Sequence, residues 1–167
     1  MRQRLLLCIV LAVVATSGCG YYSFSPTVQK GGVGSLAIPS LGNETLEYGI
    51  ETDITDTLID TMTEDGGLRV VGETEADALL RGTVTLYERS VMSYDSGGDP
   101  REYKVRILAD LTYEAVASRE VIWEGRAEGW AVYAPSGDGE FSTEEEARAE
   151  AVSKLAEDVL SKTVQGW

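Results

Sequence analysis

Histidine is absent from this 167-residue chain, and only two cysteines are present. The chain therefore offers no His-ligated metal site, no Ser-His-Asp or Cys-His nucleophile and no histidine general base. Basic residues are scarce: 14 Lys+Arg stand against 28 Asp+Glu, a formal net charge of −14. A duplex nucleic-acid partner needs a basic footprint, so nucleic acid is not expected. No internal repeat and no low-complexity block is visible. The 43% of hydrophobic residues is ordinary for a globular fold and too high for a disordered one. The length allows a single domain with an appendage.

The appendage is at the start. Arg2 and Arg4 precede an apolar run over residues 5–15, followed by Thr16-Ser17-Gly18-Cys19-Gly20. Two basic residues and a short apolar run form a signal-peptide layout. The run is shorter than the roughly 20 residues that span a bilayer. Small residues leading directly into a cysteine resemble a bacterial lipobox. The resemblance implies a lipoprotein signal peptide over residues 1–18, with Cys19 as the lipid attachment site and new N-terminus. A plain secretory signal cut near Ala15, leaving Cys19 a free thiol, is the other reading. Cys8 leaves with the leader in either case. The remaining 149 residues carry 12 basic against 28 acidic side chains, a balance of −16. Several acyl chains on one terminus hold a domain to a membrane without a transmembrane helix. Gly20 stands where an Asp would signal inner-membrane retention, which implies the outer membrane, again by resemblance. Residues 19–32 read as the lipidated tether, and 33–167 as one α+β domain.

Within that domain, residues 33–39 form a short apolar strand stopped by Pro39, and 40–45 read as a polar turn. Leu46, Ile50, Ile54, Leu58 and Met62 then recur every four residues, with acidic residues on the other faces. This predicts an amphipathic helix of about 20 residues ended by Gly66-Gly67. Its many threonines are poor helix formers, so packing must hold it. A short apolar piece follows at 68–71. Residues 78–91 form a long strand, with Leu80, Val84 and Leu86 on one face and Arg81, Thr83, Thr85, Tyr87 and Arg89 on the other. Residues 103–116 alternate cleanly, and 121–133 carry Trp123, Ala127, Ala131 and Tyr133 on one face. The turn at 95–100 and the tight link at Ser118-Arg119 join these runs into an antiparallel meander. Ser142-Thr143-Glu144-Glu145 reads as a capping box that opens a second helix, with Ala147, Ala151, Val152, Leu155, Val159 and Leu160 as its apolar stripe. The order is β-α-β-β-β-α. The economical packing is an α+β two-layer sandwich, with both helices on one face of a four-stranded, mostly antiparallel sheet.

No catalytic constellation emerges. Gly31-Gly32-Val33-Gly34 precedes a strand and lacks a closing Gly-Lys-Ser/Thr, so it fails as a phosphate loop. The carboxylates of the first helix occupy the solvated face of an amphipathic pattern, and no pair is singled out for acid–base work. No metal or cofactor is called for. Charge distribution is more informative. Residues 81–106 net +1, whereas the rest of the exported chain nets −17. Arg81 and Arg89 share strand parity, as do Lys104 and Arg106 across the hairpin. These four form a candidate strip for an anion such as a lipid phosphate. Cross-strand ion pairing with Glu88, Asp110 and Glu114 is the competing reading. Trp123 and Trp130 fall on opposite faces, so one packs under the helices and the other marks a docking surface or stands alone.

Several stretches together resemble a known family. They are Cys19-Gly20-Tyr21-Tyr22-Ser23-Phe24, Ser35-Leu36-Ala37-Ile38-Pro39 with Asn43-Glu44-Thr45, Leu68-Arg69-Val70-Val71, Ala76-Asp77-Ala78-Leu79-Leu80-Arg81-Gly82-Thr83-Val84, and Val121-Ile122-Trp123-Glu124. In this order and spacing they resemble the LptE family of lipopolysaccharide-assembly lipoproteins, in its divergent form. The resemblance implies two helices on a four-stranded sheet and a lipid anchor on the periplasmic side of the outer membrane. It implies a non-enzymatic role as plug and partner of the β-barrel LptD in moving lipopolysaccharide to the cell surface. It also implies lipopolysaccharide binding through basic residues, for which Arg81, Arg89, Lys104 and Arg106 are the candidates on charge. Residues 36–71 also look like the amino-terminal domains of TolB- and CsgG-type proteins. That likeness would make the chain an interaction lipoprotein of another envelope assembly system.

Overall fold

The computed structural model describes residues 33–164. The expected leader, Cys19 and the tether lie outside them. Six strands and two helices follow in order: β1 (Ser35–Ala37), β2 (Gly42–Asn43), α1 (Ile50–Asp65), β3 (Arg69–Val70), β4 (Ala78–Tyr94), β5 (Pro100–Ala115), β6 (Val121–Tyr133) and α2 (Glu144–Val164). The sheet order is β3-β1-β4-β5-β6, with β2 also pairing along β4. The fold is therefore α+β, but its sheet has six strands where four are expected. The two additions, β2 and β3, lie in the segments read as a polar turn and an apolar piece. Two residues are too few to leave a period-2 trace in a sequence.

β1 and β2 are successive parallel contacts along one edge of β4: Leu36 and Ala37 face Ala78 and Leu79, and Gly42 and Asn43 face Thr83 and Val84. Pro39 lies in the gap between them, where a missing N–H costs the ladder nothing. β3 pairs parallel to β1, and α1 provides the crossover that a parallel pair requires. β4, β5 and β6 form the expected antiparallel meander. The buried residues of both helices and of one sheet face make a single core cluster, including Ile54, Leu58, Leu80, Val105, Ile107, Ala131, Leu155 and Val159.

Local chemistry sets the element ends. Ser35, though buried, donates its hydroxyl to Asp77 (2.7 Å) and accepts the Asp77 N–H (3.0 Å). The same carboxylate accepts the N–H groups of Gly34 and Ser35, and these bonds hold its pKa low, the hydroxyl first. This staples the start of β1 to the start of β4. Helix α1 begins at Ile50 and not at Leu46, because Gly49 takes φ 81° and breaks the path. It ends at Gly66 (φ 69°), whose N–H reaches the Met62 carbonyl as a left-handed cap does. The capping box of α2 sits one residue later than expected. Thr143 Oγ1 accepts the Glu146 N–H (3.2 Å), and the Glu146 carboxylate accepts the N–H groups of Ser142 (2.8 Å) and Thr143 (3.1 Å). Those donors depress the Glu146 pKa, the Ser142 N–H first.

Helix α2 lies on β5 and β6 at very close range. A Cβ on Gly129 would lie 2.7 Å from the Leu155 nitrogen and closer still to the Ala151 carbonyl oxygen. The helix also covers the free edge of β6. Asp158 accepts the Glu128 N–H (3.3 Å), and Lys162 donates to the Arg126 carbonyl (2.8 Å) and to Asp158 (2.6 Å). Edge groups that would invite another strand are thus occupied by side chains.

Candidate functional site

The decisive feature of β4 is a bulge. Val84 faces Ala109, yet Leu86 faces Leu108, so Thr85 is an extra residue. A single inserted residue reverses the faces beyond it. Arg81 therefore points away from the helices, and Arg89 points to their side. The shared parity expected for these two residues does not hold. Val84-Thr85-Leu86-Tyr87 continues the alternation without interruption, so the sequence hides the slip.

On the helix side, Arg89 faces the buried Val105. Its guanidinium reaches Glu144 in the first turn of α2 (3.2 Å) and the Tyr133 hydroxyl (3.5 Å), and it lies 5.4 Å from the Tyr103 ring centre. Tyr87 donates to the same Glu144 (3.1 Å). Burial, then this hydrogen bond, pushes the Tyr87 pKa well above its ordinary value. Tyr103 and Tyr133 stack at 5.3 Å. Arg89 thus fastens the hairpin to the start of α2.

The outer sheet face carries Arg81, Lys104 and Arg106. Arg81 meets Glu114 (3.5 Å) and Glu73 (3.7 Å). Arg106 makes a two-bond pair with Glu128 (2.7 and 3.2 Å). The adjacent Arg126 does the same with Asp110 (2.8 and 3.1 Å). These bonds raise the Arg106 and Arg126 pKa values and lower those of Glu128 and Asp110. Such forks fix geometry, but at the surface each is weak in stability. Arginines so matched present little net positive field.

Lys104 differs. Among the described residues it makes no ion pair, and its ammonium lies 4.5 Å from the centre of the Trp130 ring. Lys154 of α2 approaches the same ring at 5.2 Å and pairs with Glu150. Trp130 is 43% exposed, and Trp123 packs with the buried Tyr113 on the helix side. The expected division of the two tryptophans between faces is therefore observed. The cationic centre of the outer face is the Lys104–Trp130–Lys154 group and not a strip of four residues. Register could have linked Trp130 to Arg106, which it faces directly. No spacing ties Lys154, on a helix, to a strand residue in advance.

The acidic first helix reads differently in three dimensions. Arg148 of α2 pairs with Glu47 (3.2 Å) and with Asp53. With Asp56 and Glu145 it lines a cleft of about 370 Å³ between the helices. Among the described residues no group of three or more carboxylates could hold a metal ion. No described helix is long and apolar enough to cross a membrane.

The LptE family of lipopolysaccharide-assembly proteins matches residues 33–163. No match is found among curated proteins. Among solved structures, protein XCC0632 from Xanthomonas campestris is similar at 10% identity and a TM-score of 0.57, covering 78% of this chain and 84% of that one. Protein CT253 from Chlamydia trachomatis is similar at 6% identity and a TM-score of 0.56, covering 80% and 97%. A minor lipoprotein from Acinetobacter baumannii is similar at 15% identity and a TM-score of 0.53, covering 79% and 93%. At these identities the likeness concerns the fold.

Proposed function

The chain belongs to the LptE family of lipopolysaccharide-assembly proteins, and from that premise we propose that it is an outer-membrane lipoprotein acting as plug and partner of an LptD-like β-barrel. It is acylated at Cys19, faces the periplasm and supports transfer of lipopolysaccharide to the cell surface. The family match over residues 33–163, nearly the whole described domain, carries this reading. The role is non-enzymatic. The carboxylates with displaced pKa values are all held low by donors, the opposite of what a general acid needs. The work is done by shape: a rigid acidic wedge occupies a lumen. Pull-down of the tagged lipoprotein in mild detergent, read by mass spectrometry, tests the partnership. A co-purifying outer-membrane barrel is expected, and a soluble or peptidoglycan-linked complex without one overturns it. An unmodified thiol at Cys19 in the intact mass overturns the anchor.

For the glycolipid, contact centres on Lys104. Its ammonium makes no ion pair among the described residues, only a longer-range attraction to Glu128, and Trp130 keeps it on an exposed ring. Arg106, two residues along β5, flanks it but must trade a carboxylate for a phosphate. Arg81 faces Thr112, eight residues along β5 from Lys104, and is paired with Glu114, and Arg89 serves the opposite face. Lys104→Glu is expected to weaken binding of purified lipopolysaccharide more than Arg81→Glu or Arg89→Glu. Unchanged binding in Lys104→Glu removes this contact.

A further inference from the structure

Leu46 and Tyr48 are 105% and 94% exposed, on the loop between β2 and α1. A lone exposed leucine is ordinary. Two large apolar side chains with almost no contact to their own fold are not, when the loop beneath them is fixed. Asn43 holds that loop from both ends of its amide. Its Nδ2 donates to the Glu47 carbonyl (2.8 Å) and to the Glu51 carboxylate (2.8 Å). Its Oδ1 accepts the Thr45 N–H and hydroxyl (each 2.8 Å). Thr45 Oγ1 accepts the Glu47 N–H (3.2 Å), and the Glu44 N–H reaches the Val84 carbonyl (3.0 Å). Residues 43, 44, 45 and 47 are thus tied down, and Leu46 and Tyr48 project between and beyond them. A loop ordered in advance loses little entropy on binding.

The surroundings specify the partner's charge. Residues 44–65 contain eight Asp or Glu and no Lys or Arg. Arg148 meets only Glu47 and Asp53 of these. Glu44, Asp56, Asp60 and Glu64 make no ion pair among the described residues. We infer that the β2–α1 loop with the adjoining face of α1 is a docking surface for a protein partner that offers apolar sockets to Leu46 and Tyr48 within a basic rim. An anionic lipid surface would be repelled by these carboxylates. The inference rests on the proposed function only in taking the partner from the cell envelope.

The test uses the lipidated full-length chain in its own cells. A photo-reactive benzoylphenylalanine replaces Tyr48 or, as a control, the exposed Ser118 in the turn between β5 and β6. A Leu46→Asp/Tyr48→Asp double variant is purified in parallel. The expected result is a protein adduct from position 48 and none from 118. The same protein should fall about tenfold or more in the double variant's pull-down, as loss of an aromatic anchor predicts. The melting temperature of the double variant should be unchanged. Asp56→Lys with Asp60→Lys should weaken capture and flatten its salt dependence. Full retention of the partner by the double variant, equal adducts at 118, or an adduct with lipid alone overturns the surface. A barrel retained in full by the double variant, with no other protein captured at 48, leaves the barrel reading standing and removes this one. A non-barrel protein captured at 48 and lost in the double variant supports the surface, and the barrel reading falls only if no barrel co-purifies with the unaltered chain.

Discussion

Helix α2 starts on Thr143 and Glu146, which satisfy each other's backbone donors, carries Lys162 in its last turn, and lies on β6 so closely that Gly129 has no room for a methyl. Helix α1 starts and ends on glycines with positive φ, has no side-chain cap and no basic residue, and satisfies Thr55, Thr57 and Thr63 by hydrogen bonds to carbonyls four residues back. Both bury an apolar stripe in the same core. The difference is on the outside. The polar residues of α2 close the edge of β6, whereas those of α1 leave most of their charge unmatched. A helix whose exposed side does not serve its own fold is free to serve something else. In this molecule the exposed apolar loop is continuous with that helix.

The contrast can be broken most directly at Gly129. In Gly129→Val the side chain must displace the backbone of α2 at Ala151 and Leu155. A cost of about 3 kcal/mol or more is expected, at the upper end for overpacking. Denaturant unfolding reads it, and a stability change near zero would mean that α2 does not lie as close as described. The next effect is at the caps. Gly49→Ala forces an L side chain into φ 81°, at about 1–2 kcal/mol. Thr143→Ala removes an N-cap oxygen, at about 1 kcal/mol. The two helices should therefore respond alike to cap damage, though by different chemistry. If Gly49→Ala is neutral, the break that separates Leu46 from α1 is not a backbone requirement.

Strong periodicity was the part of the fold that the sequence made legible. The buried stripe Ile50, Ile54, Leu58 and Met62, the alternation of β5 and the opposite faces of Trp123 and Trp130 all follow from it. The failures have physical causes. Leu46 continues the four-residue spacing of α1 but precedes Gly49, and the Asn43 network holds it elsewhere. Ser142–Glu145 and Thr143–Glu146 both fit a capping box, and local sequence does not choose between them. The extra residue at Thr85 leaves the alternation intact while reversing its meaning, so Arg89 changes face. The net charge of residues 81–106 does not show that three of its four arginines, Arg81, Arg89 and Arg106, meet carboxylates from Glu73, Glu114, Glu128 and Glu144. β2 and β3 are visible only once β4 and β1 are there to pair with them.

Acid sharpens the comparison further. Asp77, Asp110, Glu128 and Glu146 have folded-state pKa values held below their ordinary range by hydrogen-bond donors. Such groups contribute stability that is present above the unfolded-state pKa and lost as the pH falls through the folded value. Melting temperature should be level from neutral pH to about pH 5 and decline below it. Of the four, only Glu146 belongs to a helix, and that helix is α2. Glu146→Gln keeps an acceptor at the cap but removes its titration, so its decline should be shallower than that of the unaltered chain. A decline as steep as before would mean that the cap contributes nothing that depends on pH.

The smallest expected effect on stability falls in the loop before α1. Leu46→Ser and Tyr48→Ser remove side chains that bury almost nothing in the folded state, so no apolar transfer energy and no cavity is at stake. Surface changes of this kind stay within about 0.5 kcal/mol. The matched change in the interior of α1, Ile54→Ala, removes a fully buried side chain at about 2–5 kcal/mol. Eight residues along the chain therefore separate an apolar side chain that the fold requires from one that it does not use. If Leu46→Ser proved as damaging as Ile54→Ala, Leu46 would be a core residue after all, and α1 would have no reason to be regarded as a surface for another protein.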